Sequence, residues 1–143
     1  MTPTGAAGAL ELAERLFAAI EAGDIEAVRA LYAPDAVVWH NYTGSPASSH
    51  AHDGVEQTVE ENLRTLTWVV RNLRGIRYEV RHRVATDDGF VQQHVLRAHG
   101  PGGEVRLPAC LVVRLAGGRI ARIDEYLDSA HLEALQPAPA TPG

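Results

Sequence analysis

The side chains best suited to proton chemistry lie on two stretches of alternating pattern. In residues 90–99, Phe90, Gln92, His94, Leu96 and Ala98 alternate with Val91, Gln93, Val95, Arg97 and His99, and side chains two apart share one face of a strand. His94 is therefore expected on an apolar face. There an imidazole can exchange a proton near neutral pH, and Gln92 offers both a donor and an acceptor to a carbonyl, a hydroxyl or a reacting water. The structural alternative is a neutral histidine satisfied by a backbone carbonyl or by Gln92. Residues 36–42, AVVWHNY, hold the second set. Alternation separates Trp39 and Asn41 from His40 and Tyr42 unless a bulge intervenes. Trp39 can supply a broad apolar wall, Asn41 part of a donor set and His40 a base. Core filling, or packing of His40 and Tyr42 against helix or loop backbone, is the competing use of these residues.

Other arrangements carry less chemistry. The HAH run at residues 50–52 lies in a Ser/Gly-rich loop without a carboxylate at matching spacing, so no metal site is expected. The single cysteine, Cys110, excludes an intrachain disulfide, and its neighbours Leu107, Leu111 and Val112 read it as a buried small side chain rather than a nucleophile. No dinucleotide turn, phosphate-cradling loop or nucleophile elbow is present. A cofactor-free pocket is the expectation.

These residues need elements to position them. From Ala9, Leu12, Leu16, Ala19 and Ile20 recur at helical spacing, with Phe17 widening the stripe. Gly23 breaks this helix, Asp24 can cap a second one carrying Ile25, Val28 and Leu31, and Pro34 must end it. Residues 36–42 read as a strand because Val and aromatic side chains pack well on a pleated surface. Asp53 followed by Glu56 resembles a capping box for a third helix, whose seam of Val55, Val59, Leu63, Leu66 and Val70 runs to Asn72. Four strands follow, divided by Asp87-Asp88-Gly89, Pro101-Gly102-Gly103 and Gly117-Gly118. In the first, Ile76, Tyr78, Val80, His82 and Val84 are expected on one side, with Arg77, Glu79, Arg81 and Arg83 toward solvent. Asp124 is expected on the face opposite Glu125, meeting solvent or an arginine.

Length and composition bound the rest. The 143 residues, 45% hydrophobic, make one domain able to bury a core without metal or disulfide staples. A net charge of -5 repels phosphate backbones and gives no general affinity for anionic lipid, so neither nucleic acid nor membrane is expected as a partner. Residues 1–8 show no basic start followed by an apolar segment, and a cytoplasmic protein is the default expectation. Both ends, residues 1–8 and 133–143, are rich in small and turn-forming residues and are expected to be flexible or peripheral.

The stretches AERLFAAIEAGDIEAVRALYAPDAVVWHN, GVEQTV and GRIARIDEYLD resemble the nuclear transport factor 2-like superfamily, especially SnoaL-like proteins, over residues 9–132. The resemblance implies an α+β fold: a curved antiparallel or mixed sheet and three helices forming a cone-shaped pocket for a small molecule, with the outer sheet available for homodimerisation. Related families include ketosteroid isomerases, polyketide cyclases, scytalone dehydratase and limonene-epoxide hydrolases, and others bind or scaffold without catalysis. Against the epoxide hydrolases, the family's tyrosine and asparagine fall at Trp39 and Asn41, its catalytic arginine and aspartate at Gln92 and His94, and its second carboxylate at Glu125. Against ketosteroid isomerase, the catalytic aspartate falls at His40, while the oxyanion-binding tyrosine and carboxyl group fall at Leu16 and Leu111.

The resemblance thus implies a cofactor-independent acid-base enzyme acting on an oxygenated apolar metabolite. His94 would transfer a proton, Glu125 would orient or recharge it, and Gln92 or Asn41 would hold an oxygen or a water, with Trp39, His40 and Tyr42 completing the substrate surface. Epoxide hydrolysis has the best positional likeness; isomerase, dehydratase or polyketide cyclase chemistry is the alternative. A noncatalytic ligand-binding or scaffolding protein is the alternative from another class.

Overall fold

Glycine stops the first helix. In the computed structural model, which describes residues 5–41 and 54–135, α1 (Ala6–Ala22) starts ahead of the expected Ala9 and buries Leu12, Leu16, Phe17 and Ile20 along one stripe. At its end Gly23 takes a φ of 72°, in the left-handed region that a side chain would oppose. That conformation lets the N–H groups of Gly23 and Asp24 donate to the carbonyls of Ile20 and Ala19 at 3.0 and 2.9 Å. The chain reverses, and the Asp24 carboxylate accepts from the Ala27 N–H at 3.0 Å to cap α2 (Ile25–Leu31). β1 (Tyr32–His40) follows at once with Pro34 inside it, so the strand begins at Tyr32 rather than Ala36 and is assigned to His40.

The third helix starts later than its sequence signature suggests. Glu56 lies in a short strand, β2 (Val55–Thr58), which pairs antiparallel with β1 in the register Trp39 to Glu56 and His40 to Val55. The capping box is Thr58 and Glu61: the Thr58 hydroxyl accepts from the Glu61 N–H at 3.2 Å, and the Glu61 carboxylate accepts from the Thr58 N–H at 3.0 Å. α3 (Val59–Asn72) therefore begins one turn beyond Asp53 and Glu56. Two successive stretches fit the local capping pattern, and pairing with β1 takes Glu56 of the earlier one into the sheet. Asp53 and the 50–52 run lie outside the described residues.

The remaining strands follow the expected turns: β3 (Arg74–Thr86), β4 (Gly89–Gly100), β5 (Gly103–Ala116) and β6 (Arg119–Leu127), then a 3-10 helix over Ser129–Leu135. They form one sheet in the order β2-β1-β6-β5-β4-β3. It is mixed, because β1 runs parallel to β6 while the other neighbours are antiparallel. The described residues form an α+β fold with three α-helices. One buried cluster joins Leu16, Phe17 and Val28 to Phe90, Val113 and Ile120, and a second joins Leu73 to Leu96, Val105 and Leu107. No helix among the described residues is long and apolar enough to cross a membrane.

One irregularity changes which side chains face inward. The β3–β4 register slips between Val80 and His82, making Arg81 an additional residue. Beyond this bulge the parity of β3 is reversed. Arg83, expected toward solvent, stands opposite Gln92 and is half-buried, while Val84, expected inside, is 45% exposed. Asp124 does take the face opposite Glu125, pairing with Arg122 at 2.9 Å and Arg114 at 3.4 Å.

The capping assignment has a direct test. Thr58→Ala removes a side-chain acceptor from the first turn of α3 and is expected to cost about 1 kcal/mol of stability, measured by denaturant unfolding; an unchanged midpoint would contradict a cap at Thr58.

Candidate functional site

A row of directly paired residues crosses the inner face of the sheet. His40 pairs with Glu125, Glu125 with Leu111, Leu111 with Gln92, and Gln92 with Arg83. Residues opposite each other on neighbouring strands project to the same side, so this row brings its polar members onto the face covered by the helices. In the next row His94 pairs with Ala109, and Ala109 with Leu127. His94 and Glu125 are thus diagonal neighbours with a strand between them.

Both line one cavity of about 330 Å³. His40 and Tyr78 join them, Leu66, Val69 and Leu73 enclose it from the side of α3, and Leu96 and Leu107 wall it from the sheet. Leu132 and Leu135 of the 3-10 helix close another side. Such a space, mostly apolar with a few converging polar groups, suits a small organic molecule.

The hydrogen-bond partners divide the polar groups into two sets. Glu125 meets His40, with Nε2 to Oε1 at 3.0 Å. His94 meets Gln92 instead, with its Nδ1 2.8 Å from the Gln92 amide nitrogen, and the Gln92 oxygen accepts from Arg83 Nε at 2.6 Å. His94 also packs edge-on against Tyr78 and Phe17, at centroid distances of 4.8 and 5.4 Å. Burial opposes its charging, the Glu125 carboxylate favours it, and Arg83 opposes it again; the balance brings the imidazole down to about 4. It is neutral at pH 7. Burial raises the Glu125 carboxyl, but the hydrogen bond and attraction from His40 outweigh that effect and hold it below the usual carboxylate range. Tyr78 is raised above the ordinary phenol range, first by burial and then by the Glu125 charge, so it keeps its proton.

The other expected site residues fall differently. Gln92 is fully buried within its network. Trp39 stands on the opposite face, where its ring packs on Tyr126 at 4.9 Å. Asn41 pairs with the backbone of Leu127: its amide nitrogen donates to the carbonyl at 3.2 Å and its oxygen accepts from the N–H at 3.1 Å, extending the β1–β6 pairing past the end of β1. Tyr42 lies outside the described residues. Cys110 pairs with Gln93 and Tyr126 on the outer face and is half-buried, not enclosed in the core. Among the described residues no group of His, Cys, Asp or Glu is arranged to hold a metal ion.

Three contributors were not singled out from sequence. Tyr78 shares the apolar side of its strand, and an aromatic hydroxyl on that side was a usable signal. Asn62 is a polar residue on the seam between Val59 and Leu66; it is 5% exposed, accepts from the Tyr32 hydroxyl at 2.8 Å and donates to Gln57 at 3.2 Å. Arg83 had no sequence signal, because only the bulge turns it inward.

Residues 13–123 match the SnoaL-like domain. The chain belongs to that family. No curated protein matches it. Among solved structures, a loop truncation variant of IdmH is similar at 24% identity, covering 89% of this chain and 98% of that one with a TM-score of 0.72. PrhC from Penicillium brasilianum is similar at 15% identity over 90% of this chain and 85% of that one, TM-score 0.75. An epoxide hydrolase of the LEH-like type from M. tuberculosis is similar at 16% identity over 88% and 86%, TM-score 0.67. These likenesses show a shared fold, and a fold does not by itself fix the chemistry.

The neutral state of His94 has a stability consequence. Its folded pKa lies below the ordinary 6.5, so the unfolded chain takes up the proton first as the pH falls. Its contribution is fully present above about pH 6.5 and is lost on descending toward pH 4. Between pH 7 and 5 wild type is expected to lose about 2 kcal/mol more than His94→Gln, read from denaturant unfolding. Equal losses, or a His94 ring that titrates near 6.5 by NMR, would contradict this burial effect.

Proposed function

We propose that this SnoaL-like protein is a cofactor-independent acid-base enzyme acting on a moderately apolar, oxygenated small molecule. The observation that carries the proposal is the placement of an ionised Glu125, hydrogen-bonded to His40 at 3.0 Å, in the same apolar cavity as the neutral imidazole of His94. A carboxylate in a largely apolar pocket is a proton acceptor, and an imidazole bonded to it can orient it and pass the proton onward. His94 is a second polar group separated from the first, so it can meet an oxygen of the bound molecule while Glu125 meets a C–H or O–H. The cone-shaped enclosure belongs to the same proposal, as does a homodimer formed through the outer sheet where Trp39 and Tyr126 pack.

Within this reading, isomerisation, dehydration or cyclisation suits the site better than epoxide hydrolysis. The hydrolytic route asks Gln92 or Asn41 to help hold a water; both ends of the Asn41 amide are bonded to Leu127, and those of the Gln92 amide to Arg83 and His94. Moving a proton within one substrate needs no held water.

Incubating the protein in deuterated water with apolar unsaturated ketones, hydroxy ketones and epoxides tests the reaction class. The expected result is deuterium uptake beside a carbonyl, with or without double-bond migration or loss of water. Glu125→Gln, folded by circular dichroism, should lower the rate by about 10² to 10⁴. Uptake of solvent oxygen into an epoxide product would favour hydrolysis instead. Binding of these compounds with no exchange or turnover of any of them would replace the enzyme by a ligand-binding protein.

A further inference from the structure

An arginine side chain has only donors, so the atom facing its Nε must be an acceptor. Arg83 Nε lies 2.6 Å from one end of the Gln92 amide, which makes that end the oxygen. The other end is then the NH2 group, 2.8 Å from His94 Nδ1. An NH2 group donates, so Nδ1 must hold a lone pair, and a neutral imidazole with a lone pair on Nδ1 carries its proton on Nε2. A permanent charge two residues away along a hydrogen-bond chain thereby selects one of two tautomers.

The parts of this chain are held in place. The slip at Arg81 puts Arg83 opposite Gln92, and the guanidinium stands 5.9 Å over the Phe17 ring. Gln92 is fully buried, so its amide cannot exchange either bond for water. His94 is clasped edge-on by Phe17 and Tyr78. With Nδ1 engaged, Nε2–H is the group the ring can offer to the cavity it lines.

We infer that Arg83 is a positioning residue that, through Gln92, holds His94 as the Nε2–H tautomer, so that His94 acts as a hydrogen-bond donor to the carbonyl oxygen of an apolar ketone. The inference rests on the proposed function and assigns its substrate class. Glu125 takes a proton from the carbon beside the carbonyl; the C–H electron pair becomes the new C=C bond, and the carbonyl π pair moves to the oxygen. The Nε2–H bond meets the negative charge there, and return of the proton to the same or another carbon restores the carbonyl. No other reactant is consumed.

The tautomer can be read without turnover. In the full chain labelled with ¹⁵N-histidine, long-range proton–nitrogen NMR at pH 7 should show the His94 proton on Nε2 alone, the signal being assigned by its loss in His94→Gln. Gln92→Glu keeps the shape but presents an acceptor to both neighbours, so a proton should move onto Nδ1. Arg83→Met removes the anchor and should yield a mixture. A wild-type ring protonated on Nδ1, a Gln92→Glu ring with Nδ1 still bare, or an unmixed tautomer in folded Arg83→Met would each overturn the assignment. For the substrate class, a saturated bicyclic ketone should shift the Nε2–H signal and bind about tenfold more tightly to wild type than to Gln92→Glu, whereas the hydrocarbon of the same skeleton should show neither effect. Equal behaviour of ketone and hydrocarbon would overturn the carbonyl contact. Deuterium exchange enters none of these readings, so they stand or fall separately from the reaction itself.

Discussion

Side chains directly opposite one another on paired strands must lie on the same side of a sheet, and the candidate site follows from that constraint. The row from His40 through Glu125, Leu111 and Gln92 to Arg83 has a carboxylate toward one end and a guanidinium at the other. Leu111 separates the two polar sets, which is why Glu125 bonds to His40 rather than to Gln92 or His94. His94, one row further, feels both charges. They act on its protonation in opposite senses, so desolvation decides the outcome and the ring stays neutral.

The covering helices supply both the apolar walls and a satisfied polar edge. α3 presents Leu66 and Val69 to the cavity, while its Asn62 and Thr65 bond to Tyr32 and Gln57. A buried amide such as that of Asn62 is costly when left unpaired and inexpensive once its partners are in place. An ion pair on the outer face such as Arg122 with Glu56 is more open to water and contributes little. The cavity therefore concentrates the unusual electrostatics of the molecule, with one carboxylate held ionised and one imidazole held uncharged.

Membership of the SnoaL-like family establishes the arrangement of helices and strands but leaves the reaction to the side chains. Here those side chains form a carboxylate–imidazole pair and a separate donor relay. Trp39 and Asn41 show why positional likeness alone was a poor guide. They occupy the expected positions along the chain, yet one packs on the outer sheet and the other serves as a backbone mimic for β6. A side chain's use depends on the partner strand as well as on its place in the sequence.

Local patterns were sufficient for the helical hairpin, the turns between the long strands and the inward face of Gln92 and His94, because helix period, glycine stops and strand alternation act over a few residues. The same alternation placed Asp124 and Glu125 on opposite faces. Three decisions needed the partner strand. Pairing with β1 drew Val55–Thr58 into the sheet and moved the start of α3 to Thr58. A register slip at Arg81, set by the match between β3 and β4, turned Arg83 inward. Finally, the parallel pairing of β1 with β6 chose His40 as the partner of Glu125. Each is a matter of register between paired strands, across a tight turn for β3 and β4 and between more distant segments for the pairings of β1, and no local propensity records it.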